Sequence, residues 1–287
     1  MRIRVPATSA NLGPGFDSCG VAVSCYLFVE VVKPAITWQV EHSYGDFISS
    51  DASNLIVQTA LKTAPNLLPH HIKVTSDIPL TRGLGSSSSA IVAGIELANR
   101  LGNLELSESD KIKLATEMEG HPDNVAPAIC GDLVVASYHD DKTYYLKHYF
   151  PDCDLIAFIP NTELATSESR DVLPTQLSYS QAVTASSIAN VMVAALMAGN
   201  LAVAGKMMEQ DQFHEQYRSL FVPHLAKIRE ISHAQGGFGC YLSGAGPTVI
   251  ILAPKNKTAQ IIPQLKMLDK KATIEIFQVD REGVQVF

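Results

Sequence analysis

The chain has 287 residues, 46% hydrophobic and 18% charged, a balance that excludes a disordered protein and allows one large domain or two ordinary ones with real cores. Its net charge is −7, and its 22 Lys and Arg are scattered without a basic tract, which disfavours nucleic acid as a partner. The five cysteines (Cys19, Cys25, Cys130, Cys153, Cys240) are odd in number, widely spaced and without a CxxC, so they read as reduced thiols of a cytoplasmic protein, not as a disulfide framework or zinc site.

The N-terminus, Met1 to Pro6, carries no apolar signal region. Val21–Val32 is a long β-rich apolar run, and Ile72, Val74, Ser76 and Ile78 alternate onto one face of a strand. After a Gly/Ser loop, Ala90–Leu101 reads as a helix stopped by Gly102. Ser107-Glu108-Ser109-Asp110 opens a second helix with a capping-box pattern, and Gly120 and Pro122 close it. Asp123 and Asn124 then fall in a predicted turn. Leu133–Ser137 and Leu155–Pro160 read as strands, and the domain change is placed between them, giving segments 1–150 and 151–287. The second segment reads as a long Ala/Val-rich helix over Ser178–Gly199, helices over Leu201–Gln212 and Pro223–Gln235, and strands at Gly239–Ser243 and Thr248–Ala253. A helix over Lys257–Leu268 and a strand at Thr273–Val279 complete an α+β chain. The most apolar helical stretch, Val191–Gly199, is too short for a bilayer, which takes ~20 residues, so no membrane is expected.

The chemistry concentrates in Pro79-Leu80-Thr81-Arg82-Gly83-Leu84-Gly85-Ser86-Ser87-Ser88-Ser89, between a strand and a helix. Glycines permit left-handed backbone and close approach of a ligand. The serines lead into a helix whose first N–H groups have no intrahelical acceptor, and with the helix dipole these make an anion site. A plain helix cap explains one serine; four in a row exceed what capping needs. Rival phosphate motifs fail. Gly199 to Gly205-Lys206 is one residue too long for a P-loop and is followed by Met207, and no GxGxxG follows a strand.

Pro79…Gly83-Leu84-Gly85-Ser86-Ser87 resembles the central motif of the kinase superfamily that includes galactokinase, homoserine kinase, mevalonate kinase and phosphomevalonate kinase. Two further motifs stand in the expected order, Pro6-Ala7-Thr8-Ser9-Ala10-Asn11-Leu12-Gly13-Pro14-Gly15-Phe16-Asp17 and Ser243-Gly244-Ala245-Gly246-Pro247-Thr248, so the resemblance spans essentially the whole chain. Glu119-Gly120-His121-Pro122-Asp123-Asn124, Thr166-Ser167-Glu168-Ser169-Arg170 and Tyr217-Arg218-Ser219-Leu220 resemble the homoserine kinase branch. The resemblance implies a two-domain fold, an N-terminal domain like ribosomal protein S5 domain 2 and a ferredoxin-like C-terminal domain. It implies ATP bound on Pro79–Ser89, Mg²⁺ held by Ser86 and Glu119, and L-homoserine phosphorylated on its hydroxyl for threonine biosynthesis. It places Asn11, Asp17, His121, Asp123, Asn124, Thr166, Arg170 and Arg218 in the substrate pocket, with Asp123, Asn124 and Arg170 catalytic.

Charge logic supports that placement. An amino-acid substrate needs carboxylates for its ammonium, here Asp17 and Asp123, and cations for its carboxylate, here Arg170 and Arg218. Glu119 ends a helix, where a carboxylate is unfavourable by about 0.3–1 kcal/mol unless a cation is near. Relatives of this superfamily use an aspartate as base where Asn124 stands, and an amide takes no proton, so either Asp123 assists or the phosphate receives the hydroxyl proton. The remaining histidines have no metal-ligand spacing and read as surface or structural. The alternatives are a mevalonate-type kinase, which would have no ammonium for the paired acids to meet, and a non-catalytic sensor of the same fold. The sequence is compatible with a homodimer but marks no dimer surface.

Overall fold

The computed structural model describes residues 1–287. Its first sheet holds β1 (Arg2–Ala10), β2 (Cys19–Pro34), β3 (Gln39–Glu41), β4 (His70–Ser76), β5 (Leu133–His139), β6 (Lys142–His148) and β11 (Gln285–Val286), in the order β11-β1-β2-β4-β3. Besides β1, the sixteen-residue β2 serves two further neighbours: Cys19–Val21 pairs with β5, and Leu27–Pro34 pairs with β4. The β1–β2 register shifts between Pro6 and Ala7, where proline offers the ladder no N–H. The second sheet holds β7 (Asp154–Ile159), β8 (Gly239–Leu242), β9 (Val249–Ala253) and β10 (Thr273–Phe277), in the order β10-β7-β9-β8. The sheets change between β6 and β7, and β11 returns the C-terminus to the first sheet beside β1.

Helices α1 (Leu55–Thr63), α2 (Ser86–Leu101), α3 (Glu108–Glu119) and α4 (Pro122–Cys130) accompany the first sheet. α2 is deeply embedded, with Ile91, Ile95, Leu97 and Ala98 buried. The second half of the chain adds α5 (Thr166–Asp171), α6 (Tyr179–Met197), α7 (Leu201–Met208), α8 (Leu225–Ala234) and α9 (Thr258–Leu268). β7 reads as one continuous apolar run because both its faces are covered. Ile156 and Phe158 join Ile228, Ile261 and Leu265 under α8 and α9, while Leu155 and Ala157 face the larger core with Ala204 and Met208 of α7.

Two expectations need correction. Asp123 and Asn124 do not lie in a turn; they occupy the first turn of α4, whose first residue is Pro122. Proline is favoured at that position because its missing N–H would be unpaired there anyway. Val191–Gly199 is also not a short stretch by itself, because it is the end of the long helix expected over Ser178–Gly199. α6 runs 19 residues with mean hydropathy 1.3, long and apolar enough to cross a membrane by length and composition alone. Only Ala185, Met192, Ala195 and Leu196 of it are buried.

Candidate active site

Between β4 and α2 the backbone is left-handed at Thr81 (φ 53°), Gly83 (φ 73°) and Gly85 (φ 69°). A Cβ on Gly83 would stand 2.3 Å from the Ser243 carbonyl oxygen, and one on Gly85 would stand 2.3 Å from Thr8 Oγ1. These glycines are therefore required by the protein's own packing as well as by backbone conformation. Ser243 Oγ donates to the Gly83 carbonyl at 2.6 Å, tying the C-terminal glycine loop onto the phosphate loop.

Gly85 caps α2 without a side chain, and the first helical bond is Ser89 N–H to the Gly85 carbonyl at 2.8 Å. The N–H groups of Ser86, Ser87 and Ser88 find no acceptor in the chain and stand at the wall of a polar cleft. The four serines divide their roles. Ser89 is buried and donates to the Pro6 carbonyl at 3.0 Å. Ser88 donates to Glu119 Oε1 at 2.7 Å. Ser86 and Ser87 make no side-chain bond and line the cleft. The structure thus pairs Glu119 with Ser88 and not with Ser86. Two residues along a helix turn the side chain through about 200°, so only Ser88 reaches the end of α3. Leu84 is buried, and neither it nor Pro79 or Ser89 lines the cleft.

The same cleft collects Asn11, Asp17, His121, Asp123, Asn124, Thr166, Arg170 and Arg218, from four separated segments. Gly120 ends α3 in left-handed geometry (φ 93°), which turns the chain so that Glu119 and α4's Asp123 and Asn124 face the same space. His121 Nδ1 meets Asp123 Oδ1 at 2.5 Å. Burial alone would lower the His121 pKa, but the Asp123 bond and charge, helped by Asp17, carry it above its ordinary value. Thr8 Oγ1 donates to Asn124 Oδ1 at 2.8 Å, so the Asn124 amide presents its NH₂ end toward the cleft.

Arg170 is engaged with Asp17 through two of its five donors, Nη2 to Oδ1 at 2.6 Å and Nη1 to Oδ2 at 3.1 Å. Asn11 accepts the Asp17 backbone N–H at 3.0 Å and donates to the Gly244 carbonyl at 3.1 Å, which fixes the acid's position. Arg218 is only 2% exposed. Burial, with the Arg170 charge adding, pulls its pKa down to about 10. Phe16 lies beneath both arginines, with ring-to-guanidinium distances of 5.5 Å to Arg170 and 5.4 Å to Arg218.

One grouping was expected from the sequence, and one feature escaped it. Asp17, His121 and Asp123 bring one ligand atom each within 4.8 Å of the others; His121 Nδ1 donates to the Asp123 carboxylate, so the acceptors of the group are the two acids. Beside the polar cleft lies a second cavity of about 480 Å³, lined by Leu27, Tyr44, Phe47, Ile56, Val74 and Leu80 among others, and sharing Thr81, Ser86 and Ser87 with the first. Its volume suits a planar aromatic ligand. Tyr44 and Phe47 in the His42–Asn54 loop were the available signal, but they follow no helical or strand period.

Residues 54–132 match the family model for the GHMP kinases N terminal domain, and residues 192–266 match that for GHMP kinases C terminal. The homoserine kinase of Enterococcus faecalis is 60% identical over 287 residues, covering 100% of both chains. The chain belongs to the homoserine kinase family. The solved structure of homoserine kinase from Cytophaga hutchinsonii superposes with a TM-score of 0.87 at 26% identity, covering 100% of this chain and 97% of that one. The mevalonate kinase of Methanococcus jannaschii, at TM-score 0.73 and 20% identity over 97% of this chain and 98% of that one, shares the fold. The fold is the two-domain GHMP kinase arrangement of mixed helices and sheets, and the chain is a kinase.

Proposed function

We propose that this cleft transfers the γ-phosphoryl group of ATP to the side-chain hydroxyl of L-homoserine, giving O-phospho-L-homoserine for threonine biosynthesis. The observation that carries this reading is the meeting, in one cleft, of unpaired helix N–H groups with a zwitterion-sized set of charges: Asp17, Asp123, Arg170 and Arg218. The loop amides of Ser86–Ser88 receive the phosphates, and the neighbouring cavity receives the adenine. The ammonium of homoserine sits between Asp17 and Asp123, and its carboxylate faces Arg218 and Arg170.

Mg²⁺ fits the pair Ser88–Glu119. The set is two oxygens, one of them a carboxylate at a helix C-terminus, and Mg²⁺ takes few protein oxygens and completes its shell with water and phosphate. It would supply charge neutralisation of the phosphates. The remaining work is positioning by the chain's own groups. The Asn124 amide, held by Thr8, donates toward the acceptor oxygen and takes no proton. The oxygen–phosphorus bond to homoserine forms as the bridging bond to ADP breaks, and the hydroxyl proton leaves to Asp123 or to the transferred phosphate. Five free buried cysteines support a reducing, cytoplasmic setting.

A ternary complex with homoserine and a non-hydrolysable ATP analogue tests the arrangement. The amino-acid carboxylate should lie on Arg218 and its ammonium between Asp17 and Asp123. An amino acid bound in the reverse sense, or an adenine outside the apolar cavity, contradicts it.

A further inference from the structure

Arg218 carries five N–H donors, and three are already committed inside the protein. Its Nε–H donates to the Ser169 carbonyl at 2.9 Å. Its Nη1 donates to the Gly244 carbonyl at 3.1 Å and to His214 Nδ1 at 3.1 Å. Only Nη2 makes no bond within the chain, and the residue lines the cleft. The fork is thus held on three sides, with one nitrogen left for a ligand.

His214 is the one partner of that fork supplied by a side chain. It is wholly buried, and its Nε2 lies 2.9 Å from the Gly13 carbonyl, 201 residues away in the chain. A carbonyl can only accept and a guanidinium can only donate, so Nε2 must carry the proton and Nδ1 must be bare. Asp211, whose carboxylate lies 3.7 Å from Nε2, accepts the backbone N–H groups of Phe213, His214 and Glu215 at 2.8–2.9 Å and fixes the turn that aims the ring inward. The ring also stacks on Phe16 at 5.2 Å, the same ring that underlies both arginines.

We infer that His214 is a positioning residue for substrate recognition: as an Nε2–H tautomer it locks the Gly13–Asp17 loop to Arg218 and so aims the free Nη2 of Arg218 at the substrate carboxylate. This rests on the reading that Arg218 receives that carboxylate. His214 touches no substrate itself, so its effect is on recognition and not on the chemical step.

The two amide replacements separate its bonds. In His214→Asn, Oδ1 stands near the place of Nδ1 and still accepts from Arg218, but nothing reaches Gly13. In His214→Gln, the terminal NH₂ reaches the place of Nε2 and still donates to Gly13, but no acceptor faces Arg218. His214→Gln should raise the KM for homoserine about tenfold, with kcat and the KM for ATP changed less than about twofold. His214→Asn should recover most of that loss. Aminopropanol, the same amino alcohol without the carboxylate, should be turned over alike by all three proteins.

Arg218→Met checks the underlying reading separately. If it penalises homoserine and aminopropanol equally, Arg218 does not receive the carboxylate. If it is selective for homoserine while His214→Gln and His214→Asn behave alike, or raise KM for both substrates, the positioning role is overturned. Should either variant fail to fold, a long-range proton–nitrogen spectrum of the parent enzyme decides. A buried histidine in the Nε2–H form supports the inference, and its absence, with only Nδ1–H or doubly protonated rings, overturns it.

Discussion

Arg170 and Asp17 hold each other through two hydrogen bonds across 153 residues of chain, at 2.6 and 3.1 Å, at the open side of the cleft. Both side chains are about a third exposed (37% and 35%), so water screens the pair and it contributes at most ~1 kcal/mol to the fold. Its value is placement: it parks a cation and an anion side by side where a zwitterion can take up both charges. Asp17→Asn should therefore lower the melting temperature little while raising the homoserine KM roughly ten- to a hundredfold. Thermal melts and steady-state kinetics on the same preparation check this. A large loss of stability with an unchanged KM would show that the pair serves the fold.

The Ser88–Glu119 bond makes a sharper claim than the motif did, because it selects one serine of four. Glu119→Gln and Ser88→Ala should both cut turnover and raise the Mg²⁺ concentration needed for half activity, while the melting curve stays near that of the parent. Ser86→Ala should shift the Mg²⁺ requirement less than Ser88→Ala. ADP release titrated with Mg²⁺ distinguishes them, and the opposite ranking would return the metal to Ser86.

Local chemistry was legible in the chain wherever neighbours in sequence carry it. The Ser107–Asp110 capping box forms as its spacing suggests, and the apolar period through Ala90–Leu101 belongs to a helix that begins at Ser86. The loop from Pro79 to Gly85 announced itself through its glycines and serines. β1 went unread because Pro6 interrupts its centre, although Ile3, Val5 and Ala7 are fully buried; its ladder is set by β2, not by local preference. α4 went unread because two prolines and an Asp-Asn pair argue for a turn when weighed alone, whereas Pro122 is well placed as the first helical residue. The pairings that finish the site lie beyond local reading: Ser88 with Glu119 is 31 residues apart, and Gly13 with His214 is 201. Residue type narrowed these candidates, and only the sheet topology brings them together.

Gly85 is a test of whether the loop glycines serve packing as well as the ligand. Its φ of 69° strains any residue with a Cβ, and that Cβ would also press on Thr8 Oγ1, which orients Asn124. Gly85→Ala should destabilise the protein by ~1–3 kcal/mol and reduce kcat in the fraction that remains folded. Denaturant unfolding measures the first effect. A variant with parent stability and weakened ATP binding alone would mean that the glycine is kept only for the nucleotide.

The cysteines offer a check on burial that is independent of catalysis. Burial pushes the Cys19 thiol up to about 11 and those of Cys25, Cys130 and Cys153 up to about 12, with nearby acids adding for each; Cys240 is raised as well. For a raised thiol the reactive thiolate appears only as pH climbs toward the shifted value. At pH 8 a thiol titrating near 11 is ionised to only ~0.1%. A thiol reagent should therefore label the native enzyme slowly at pH 8 and all five cysteines promptly after unfolding. Rapid labelling of any one in the native state would contradict the packing around it.

The most direct measurement is ADP release from ATP and Mg²⁺ with homoserine, mevalonate, galactose and shikimate offered separately as acceptors. Homoserine alone brings both an ammonium for Asp17 and Asp123 and a carboxylate for Arg218. Two charge-assisted contacts of ~1.5–3 kcal/mol each correspond to about two to four powers of ten in kcat/KM. Galactose has neither charge, so homoserine should lead it by at least about a hundredfold; mevalonate and shikimate keep a carboxylate and lose only the ammonium, so homoserine should lead them by at least about tenfold. Mevalonate, galactose or shikimate turned over as efficiently as homoserine would contradict the assignment of the cleft's charges to an amino-acid substrate.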